Sequence, residues 1–182
     1  MKGHEKRLLN KLFPDIYVDT ILDIPIEELA ARGIRAFIID LDNTTTHWNS
    51  NELTPEVREW FARLGSLGLK ACFLSNNGEQ RVLAVARSLD LPYVFRAQKP
   101  RRGGYRLAME AMGSDTWCTA VIGDQIYTDI LGGNRTGLLT ILVKPIHTRE
   151  FMGTKISRMF EGPVLRQIHR KQTNRGKRGD ED

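Results

Sequence analysis

The chain has 182 residues, of which 41% are hydrophobic and 27% are charged, and its formal net charge is +5. A chain of this size can bury one substantial core but is short for two domains. Its longest apolar runs hold about six residues, against the roughly 20 that cross a bilayer, so the sequence predicts neither a membrane-spanning helix nor a secretory signal. Cys72 and Cys118 lie in apolar runs and are expected to be buried thiols of a cytoplasmic protein.

Residues 1–33 are predicted to be a helical extension that packs on the core. A basic amphipathic turn precedes Pro14, and a short helix is expected between Pro25 and Gly33. The run IRAFIID at 34–40 is typical of a buried strand, because it is short, β-branched and apolar on both faces.

Strands and helices alternate through residues 34–148. Thr54 and Pro55 predict a helix start, with threonine as the N-cap and proline at the first helical position. Residues 132–134, Gly-Gly-Asn, are predicted to form the turn that ends a short helix. Strands joined by single helices form right-handed crossovers in a parallel sheet, which predicts an α/β/α sandwich of three layers. The further strands are expected at 69–75, 92–97, 116–124 and 137–145.

Positive charge is concentrated after this sandwich. Residues 144–178 contain ten lysines or arginines and two acids. We expect a basic helical segment at 149–172 and a disordered tail at 173–182. Charge alone leaves two interpretations open, a solvated tail or a contact with an anionic partner such as membrane, nucleic acid or phosphate.

Polar side chains follow the predicted strands at the edge where these strands end. Any one of them is typical of a turn or a helix cap. Ligands of open α/β sheets bind at this edge, so the convergence of these side chains favours a functional site. They are Asp40, Asp42, Ser75, Asn76, Asn77, Lys99, Asp124 and Asp129.

These residue types suit phosphoryl transfer through a carboxylate. An aspartate can attack phosphorus and form an aspartyl-phosphate, and Mg²⁺ held by carboxylates offsets the repulsion between the two anions. A hydroxyl, backbone N–H groups and a lysine can hold the remaining phosphate oxygens. An acid two residues after the nucleophile lies on the same side of an extended chain and can protonate the leaving alkoxide.

Four motifs appear in a fixed order: DLDNT at 40–44, LSNN at 74–77, AQKP at 97–100 and GDQIYTD at 123–129. They resemble the motifs of the haloacid-dehalogenase (HAD) superfamily of phosphatases. Over residues 12–160 the chain also resembles the YqeG-type group of subfamily IIIA, which is related to phosphatidylglycerophosphatases of phospholipid biosynthesis. The resemblance implies a Mg²⁺-dependent hydrolase that converts phosphatidylglycerophosphate to phosphatidylglycerol, with peripheral contact to an anionic membrane.

The resemblance also implies roles for the acidic residues. Asp40 resembles the nucleophile, and Asp42 resembles the general acid that later becomes the general base. The metal ligands would be Asp40, the backbone carbonyl of Asp42, and Asp124. Asp129 is expected outside the metal shell, acting through water or through Lys99.

The phosphate and the rest of the substrate would be held by other matching positions. Ser75 and Lys99 resemble the phosphoryl-binding hydroxyl and the cation that steadies the phosphate. The family usually has an apolar residue, often followed by proline, after DNT, whereas this chain has Thr45, Thr46 and His47, a difference that bears on substrate fit. The expected substrate contacts are Thr44, Asn76, His47 and Trp48.

The distances along the chain between motifs predict a capless enzyme. Eleven residues separate Asp42 from Thr54, and 23 separate Ser75 from Lys99. Neither segment can hold a cap domain. An open site suits a bulky or surface-held phosphate better than a small metabolite that must be enclosed.

Two other functions remain open at this point. One is a phosphatase for a soluble metabolite, nucleotide or nucleic-acid phosphate, although no aromatic-rich basic groove supports a nucleic-acid partner. The other is a non-catalytic phospho-receiver or binding module. Receiver domains carry the phosphorylated aspartate after the third strand, and the third predicted strand here has none.

Overall fold

The structure is a computed structural model that describes residues 10–46 and 52–146. His47, Trp48, the basic helical segment, the tail and most of the first amphipathic turn lie outside the described residues. Among the described residues, no helix has both the length and the hydrophobicity that a membrane span requires.

Six strands form one sheet in the order β1-β6-β5-β2-β3-β4, and all neighbouring pairs are parallel. This confirms the predicted α/β class and the parallel sheet. The strands are β1 Ile16–Val18, β2 Ala36–Ile39, β3 Lys70–Leu74, β4 Tyr93–Val94, β5 Thr119–Gly123 and β6 Leu139–Val143.

Helices cover both faces of this sheet. Alternate residues of each strand point to opposite faces, so Phe37, Ile39 and Phe73 pack on α1, α2 and α3, whereas Ile38 and Cys72 pack on α4. Fully burying an apolar side chain contributes about 1.5–3 kcal/mol, and this two-sided core holds the layers together. The α-helices are α1 Ile26–Ala31, α2 Pro55–Ser66, α3 Glu79–Leu89, α4 Arg102–Met112 and α5 Leu131–Thr136.

The predicted helix boundaries at α1 and α2 are confirmed. The Thr54 hydroxyl accepts a hydrogen bond from the Val57 N–H at 3.4 Å, and Pro55 is the first residue of α2. Gly33 follows α1 with φ of +98°, a left-handed conformation that glycine adopts without steric strain. These signals fix where the chain enters and leaves the helices beside the sheet.

Residues 16–18 differ from the helical extension predicted for residues 1–33. They form β1, which pairs with β6 at the edge of the sheet. Both faces of β1 are only half-buried. Three residues are too few to show a strand periodicity, and their partner lies more than a hundred positions along the chain, so local sequence carried no signal.

The strand predicted at 116–124 begins later than expected. Thr116–Cys118 form a 3₁₀ turn, and β5 starts at Thr119. The Asp115 carbonyl causes this difference, because it accepts hydrogen bonds from the Cys118 N–H at 3.2 Å and the Thr119 hydroxyl at 2.7 Å. Trp117, predicted to be a strand residue, is therefore 76% exposed.

Residues 132–134 do not end a helix as predicted. A π-helix at Ile126–Ile130 continues directly into α5, and Gly132, Gly133 and Asn134 lie inside α5. The helix ends instead before Gly137, whose φ is +89°.

Candidate active site

The predicted catalytic residues meet at the carboxyl edge of the sheet. Asp40, Ser75, Lys99, Asp124 and Asp129 are each between 1% and 8% exposed. The Asp40 N–H donates to the Ile122 carbonyl at 2.9 Å, and the Ser75 N–H donates to the Val94 carbonyl at 3.0 Å. Each of these two residues extends the parallel ladder one step beyond its strand, which fixes the backbone from which its side chain leaves.

Lys99 joins two of the carboxylates. Its ammonium group donates one hydrogen bond to Asp40 and another to Asp129, the latter at 2.7 Å. Burial alone lowers the pKa of Lys99, but the charges of Asp129 and Asp40 outweigh burial and raise the pKa above its usual range. Lys99 is therefore a permanent positive charge inside an acidic site.

Asp40, Asp124 and Asp129 form a compact acidic trio. One carboxylate oxygen from each lies within 4.8 Å of the others. Burial raises the pKa of Asp40; Lys99 opposes this, Asp129 and Asp42 add to it, and the resulting pKa is about 7. Carboxylate oxygens are the ligands that Mg²⁺ prefers in proteins, so this trio fits a divalent cation.

Asp129 contacts Lys99, the residue through which it was predicted to act, and its place outside the metal shell stays a prediction. One of its oxygens binds Lys99, and the other accepts a hydrogen bond from the Gln125 N–H at 3.2 Å. Gly123 makes this position possible, because a Cβ atom there would lie 2.3 Å from the Asp129 Cγ. A side chain at position 123 would displace Asp129, so the acidic trio requires a glycine before Asp124.

Asp42 occupies a different environment from Asp40. Its carboxylate accepts hydrogen bonds from the Arg81 Nε at 2.5 Å and the Asn77 Nδ2 at 2.6 Å. The Asp42 side chain is 16% exposed and that of Arg81 is 21% exposed. These two donors hold the carboxylate at the mouth of the site, where solvent can reach it.

A tight turn follows Asp42. Asn43 has φ of +59°, and its N–H donates to the Thr46 carbonyl at 2.8 Å. The Thr45 hydroxyl donates to the Leu41 carbonyl at 3.0 Å, and Thr45 and Thr46 are both buried. Thr45 and Thr46 are thus packed within the turn.

Thr44 and Ser75 each bring a hydroxyl group to this edge of the sheet. The Thr44 hydroxyl lies 3.5 Å from an Asp40 oxygen, the limit of a hydrogen bond. Ser75 Oγ accepts a hydrogen bond from the Asn77 N–H at 3.1 Å. Both side chains are buried at the edge where the strands end.

Asn76 has a structural role that its sequence motif did not indicate. Its Oδ1 accepts a hydrogen bond from the Lys99 N–H at 2.7 Å, and its Nδ2 donates to the Lys99 carbonyl at 3.3 Å. The side chain therefore binds both polar groups of the Lys99 backbone and holds this residue where its ammonium group reaches Asp40. The substrate contact predicted for the Asn76 backbone N–H stays a prediction.

The sequence also missed Asn77 and Arg81 as partners of Asp42. Asn77 is the last residue of the predicted LSNN motif, and Arg81 lies in the first turn of the following helix, six positions after Ser75. A helix that starts at the carboxyl edge of a parallel sheet turns its first residues toward the site. The sequence could therefore have placed Asn77 and Arg81 near the site, although it does not identify Asp42 as their partner.

A parallel α/β sheet with a lysine beside an acidic cluster is what the resemblance to HAD phosphatases implied, and ligands of open α/β sheets bind at this edge. The family model described as mitochondrial PGP phosphatase matches residues 6–89, and the HAD-hydrolase-like model matches residues 96–150. A protein of known structure from Xanthomonas campestris shares the fold with a TM-score of 0.51 at 11% identity, covering 69% of this chain and 72% of that protein.

Relatives of known class are more similar in sequence. The probable phosphatase YqeG of Bacillus subtilis is 38% identical over 165 residues, covering 90% of this chain and 96% of the relative. The chloroplastic phosphatidylglycerophosphate phosphatase 1 of Chlamydomonas reinhardtii is 27% identical over 158 residues, covering 81% and 59% of the two chains. The chain belongs to the YqeG family of HAD-superfamily phosphatases, and its class of reaction is the hydrolysis of phosphoric monoesters.

Proposed function

We propose that this phosphatase removes the terminal phosphate of phosphatidylglycerophosphate, with Mg²⁺ as cofactor and through an aspartyl-phosphate on Asp40. The observation that carries the proposed mechanism is the lysine bridge between Asp40 and Asp129 inside the acidic trio. The lipid substrate is supported by the PGP phosphatase family model and by the algal relative.

In the first half of the reaction, a carboxylate oxygen of Asp40 attacks phosphorus and the bond from phosphorus to the alcohol oxygen breaks. Lys99 keeps Asp40 oriented and balances the charge of the phosphoryl group. The Ser75 hydroxyl and the backbone N–H of Asn76 bind phosphoryl oxygens. Asp40, Asp124 and the backbone carbonyl of Asp42 would hold Mg²⁺, which supplies positive charge at the phosphate when bound.

Asp42 acts first as the general acid and then as the general base. It first gives a proton to the leaving alcohol oxygen. In the second half it takes a proton from a water molecule, whose oxygen attacks phosphorus and releases phosphate from Asp40. Asn77 and Arg81 each bind one carboxylate oxygen of Asp42, and each oxygen keeps a second lone pair for this transfer. The two donors fix the direction in which the proton moves.

A panel of phosphate-release assays tests this proposal. Purified full-length protein is given phosphatidylglycerophosphate in mixed micelles, glycerol 3-phosphate and p-nitrophenyl phosphate, each with Mg²⁺ or with a chelator. We expect release that requires Mg²⁺ and a kcat/KM that is highest for the lipid. Efficient cleavage of the soluble phosphates with no release from the lipid would rule out the lipid substrate. Full activity in the chelator would rule out the cofactor.

A further inference from the structure

The loop between β4 and α4 carries an unusual concentration of exposed cations. Arg96, Arg101 and Arg102 are exposed, and they flank the buried Lys99. Phe95, at the start of this loop, is 37% exposed, and its ring centre lies 6.4 Å from that of Tyr93. We call residues 95–102 the arginine loop.

The arginine loop is fixed to the site at several points. The Arg96 N–H donates to the Asn77 carbonyl at 3.1 Å, and Asn77 in turn binds Asp42. The Ala97 N–H donates to the Ser75 carbonyl at 3.0 Å, and the Lys99 ammonium group reaches Asp40. These bonds fix the backbone of the arginine loop beside the mouth of the site.

The exposed arginines of this loop have few acids near them in the chain. Residues 91–110 contain four arginines and Lys99, whose charge is paired with buried aspartates, and Glu110 is the single acid. Within residues 10–46 and 52–146, Arg96, Arg101 and Arg102 form no ion pair. The Arg101 guanidinium donates to the neutral side chain of Gln98 at 3.0 Å, which orients it without removing its charge.

We propose that the arginine loop is the surface by which this protein docks on an anionic lipid bilayer, with the active-site mouth facing the membrane. The proposal rests on the proposed lipid substrate and adds the part of the molecule that meets the bilayer. Guanidinium groups bind lipid phosphates through charge-assisted hydrogen bonds, and an aromatic ring beside them can enter the interface between headgroups and acyl chains. A single-stranded nucleic acid fits less well, because its bases need a row of aromatic platforms.

Vesicle sedimentation tests this surface without turnover. The full-length protein is mixed with vesicles of phosphatidylglycerol and phosphatidylcholine, or of phosphatidylcholine alone. Neither contains the phosphomonoester substrate. The test variant is Arg101→Gln/Arg102→Gln. The matched control is Arg87→Gln/Arg135→Gln, which removes the same charge from the last turns of α3 and α5, where the strands begin.

We expect binding to the anionic vesicles alone. Each basic residue near such a surface contributes about fivefold to partitioning, so the loop variant should bind roughly 25-fold more weakly. The control should change by less than about twofold, because its charges lie at the far edge and are screened. Lipid phosphate release by the loop variant should fall relative to its release from p-nitrophenyl phosphate.

Other outcomes would overturn the proposal. Equal losses in the two variants would show a response to net charge, and undiminished binding of the loop variant would place the contact elsewhere on the chain. If the wild type ignores vesicles and binds an oligonucleotide through the loop, the surface serves nucleic acid. Loop-dependent vesicle binding without release of phosphate from phosphatidylglycerophosphate would instead remove the proposed substrate and leave the docking surface standing.

Discussion

Asp40 and Asp42 are separated by one residue, yet they lie in opposite environments. Asp40 is paired with Lys99, and both side chains are at most 6% exposed. Asp42 is paired with Arg81, and these side chains are 16% and 21% exposed. A nucleophile benefits from a dry, fixed position, whereas a proton shuttle must exchange its proton with water. The two environments therefore match the two proposed roles.

Asp40→Asn should have the largest effect on activity. The amide keeps the shape of the side chain but cannot attack phosphorus, so we expect phosphate release to fall by about 10⁴-fold or more. The measurement is kcat with p-nitrophenyl phosphate and Mg²⁺, beside circular dichroism to show that the variant folds. Wild-type turnover by a folded variant would refute Asp40 as the nucleophile.

Lys99→Met should have the largest effect on stability. It leaves Asp40 and Asp129 buried without their cation, and breaking a buried pair in this way costs about 3–5 kcal/mol. Urea unfolding of the metal-free protein measures the loss. Lys144→Met is the control, because Lys144 pairs with Asp19 in solvent and its removal should leave the unfolding midpoint almost unchanged. Equal losses in the two variants would contradict the buried bridge.

Arg81→Ala tests the proposed role of Asp42, the more exposed of the two aspartates. Without its guanidinium, Asp42 keeps only Asn77 as a donor among the contacts described above, so proton delivery should lose efficiency. We expect kcat/KM for glycerol 3-phosphate, which reports the steps up to release of the alcohol, to fall by about 10- to 100-fold, part of the usual contribution of a general acid. The loss should be smaller for p-nitrophenyl phosphate, since nitrophenolate leaves without protonation.

Arg87→Ala is the matched control for this variant, because Arg87 is an exposed arginine in the last turn of the same helix. Its kcat/KM should stay close to that of the wild type. An equal loss for both substrates in Arg81→Ala would assign Arg81 to phosphate binding rather than to the orientation of Asp42.

The convergence of Asp40, Ser75, Lys99 and Asp124 could be predicted from the sequence because parallel strands end at one edge of a sheet. Chain order and strand position then suffice to group polar residues that are far apart in sequence. The contacts that orient them were not predictable. The hydrogen bonds from the Asn76 side chain to the Lys99 backbone require two loops to lie at a defined distance from each other. No local sequence pattern encodes that distance.

The segment after Asp129 shows a second reason why a structure could not be predicted from the sequence. Gly132, Gly133 and Asn134 have the composition of a helix end, but tertiary packing overrides this preference. The Tyr105 ring lies against Gly132, and the Asn134 side chain donates to the Lys11 and Phe13 carbonyls at 2.9 and 3.0 Å. These residues are small or polar because of neighbours elsewhere in the chain.

Gly132→Ala measures this packing and should have the smallest effect. A Cβ atom at Gly132 would lie 2.3 Å from the Tyr105 hydroxyl, which donates to the Thr128 carbonyl at 2.8 Å just before Asp129. Displacing the ring should cost about 1–3 kcal/mol in urea unfolding. In the control Gly103→Ala, the new methyl group meets no atom within 4 Å in the first turn of α4, and stability should hold or rise slightly. Equal free energies of unfolding for the two alanine variants would show that Tyr105 has room to move. The backbone beside Asp129 would then be less tightly supported than a dry site requires.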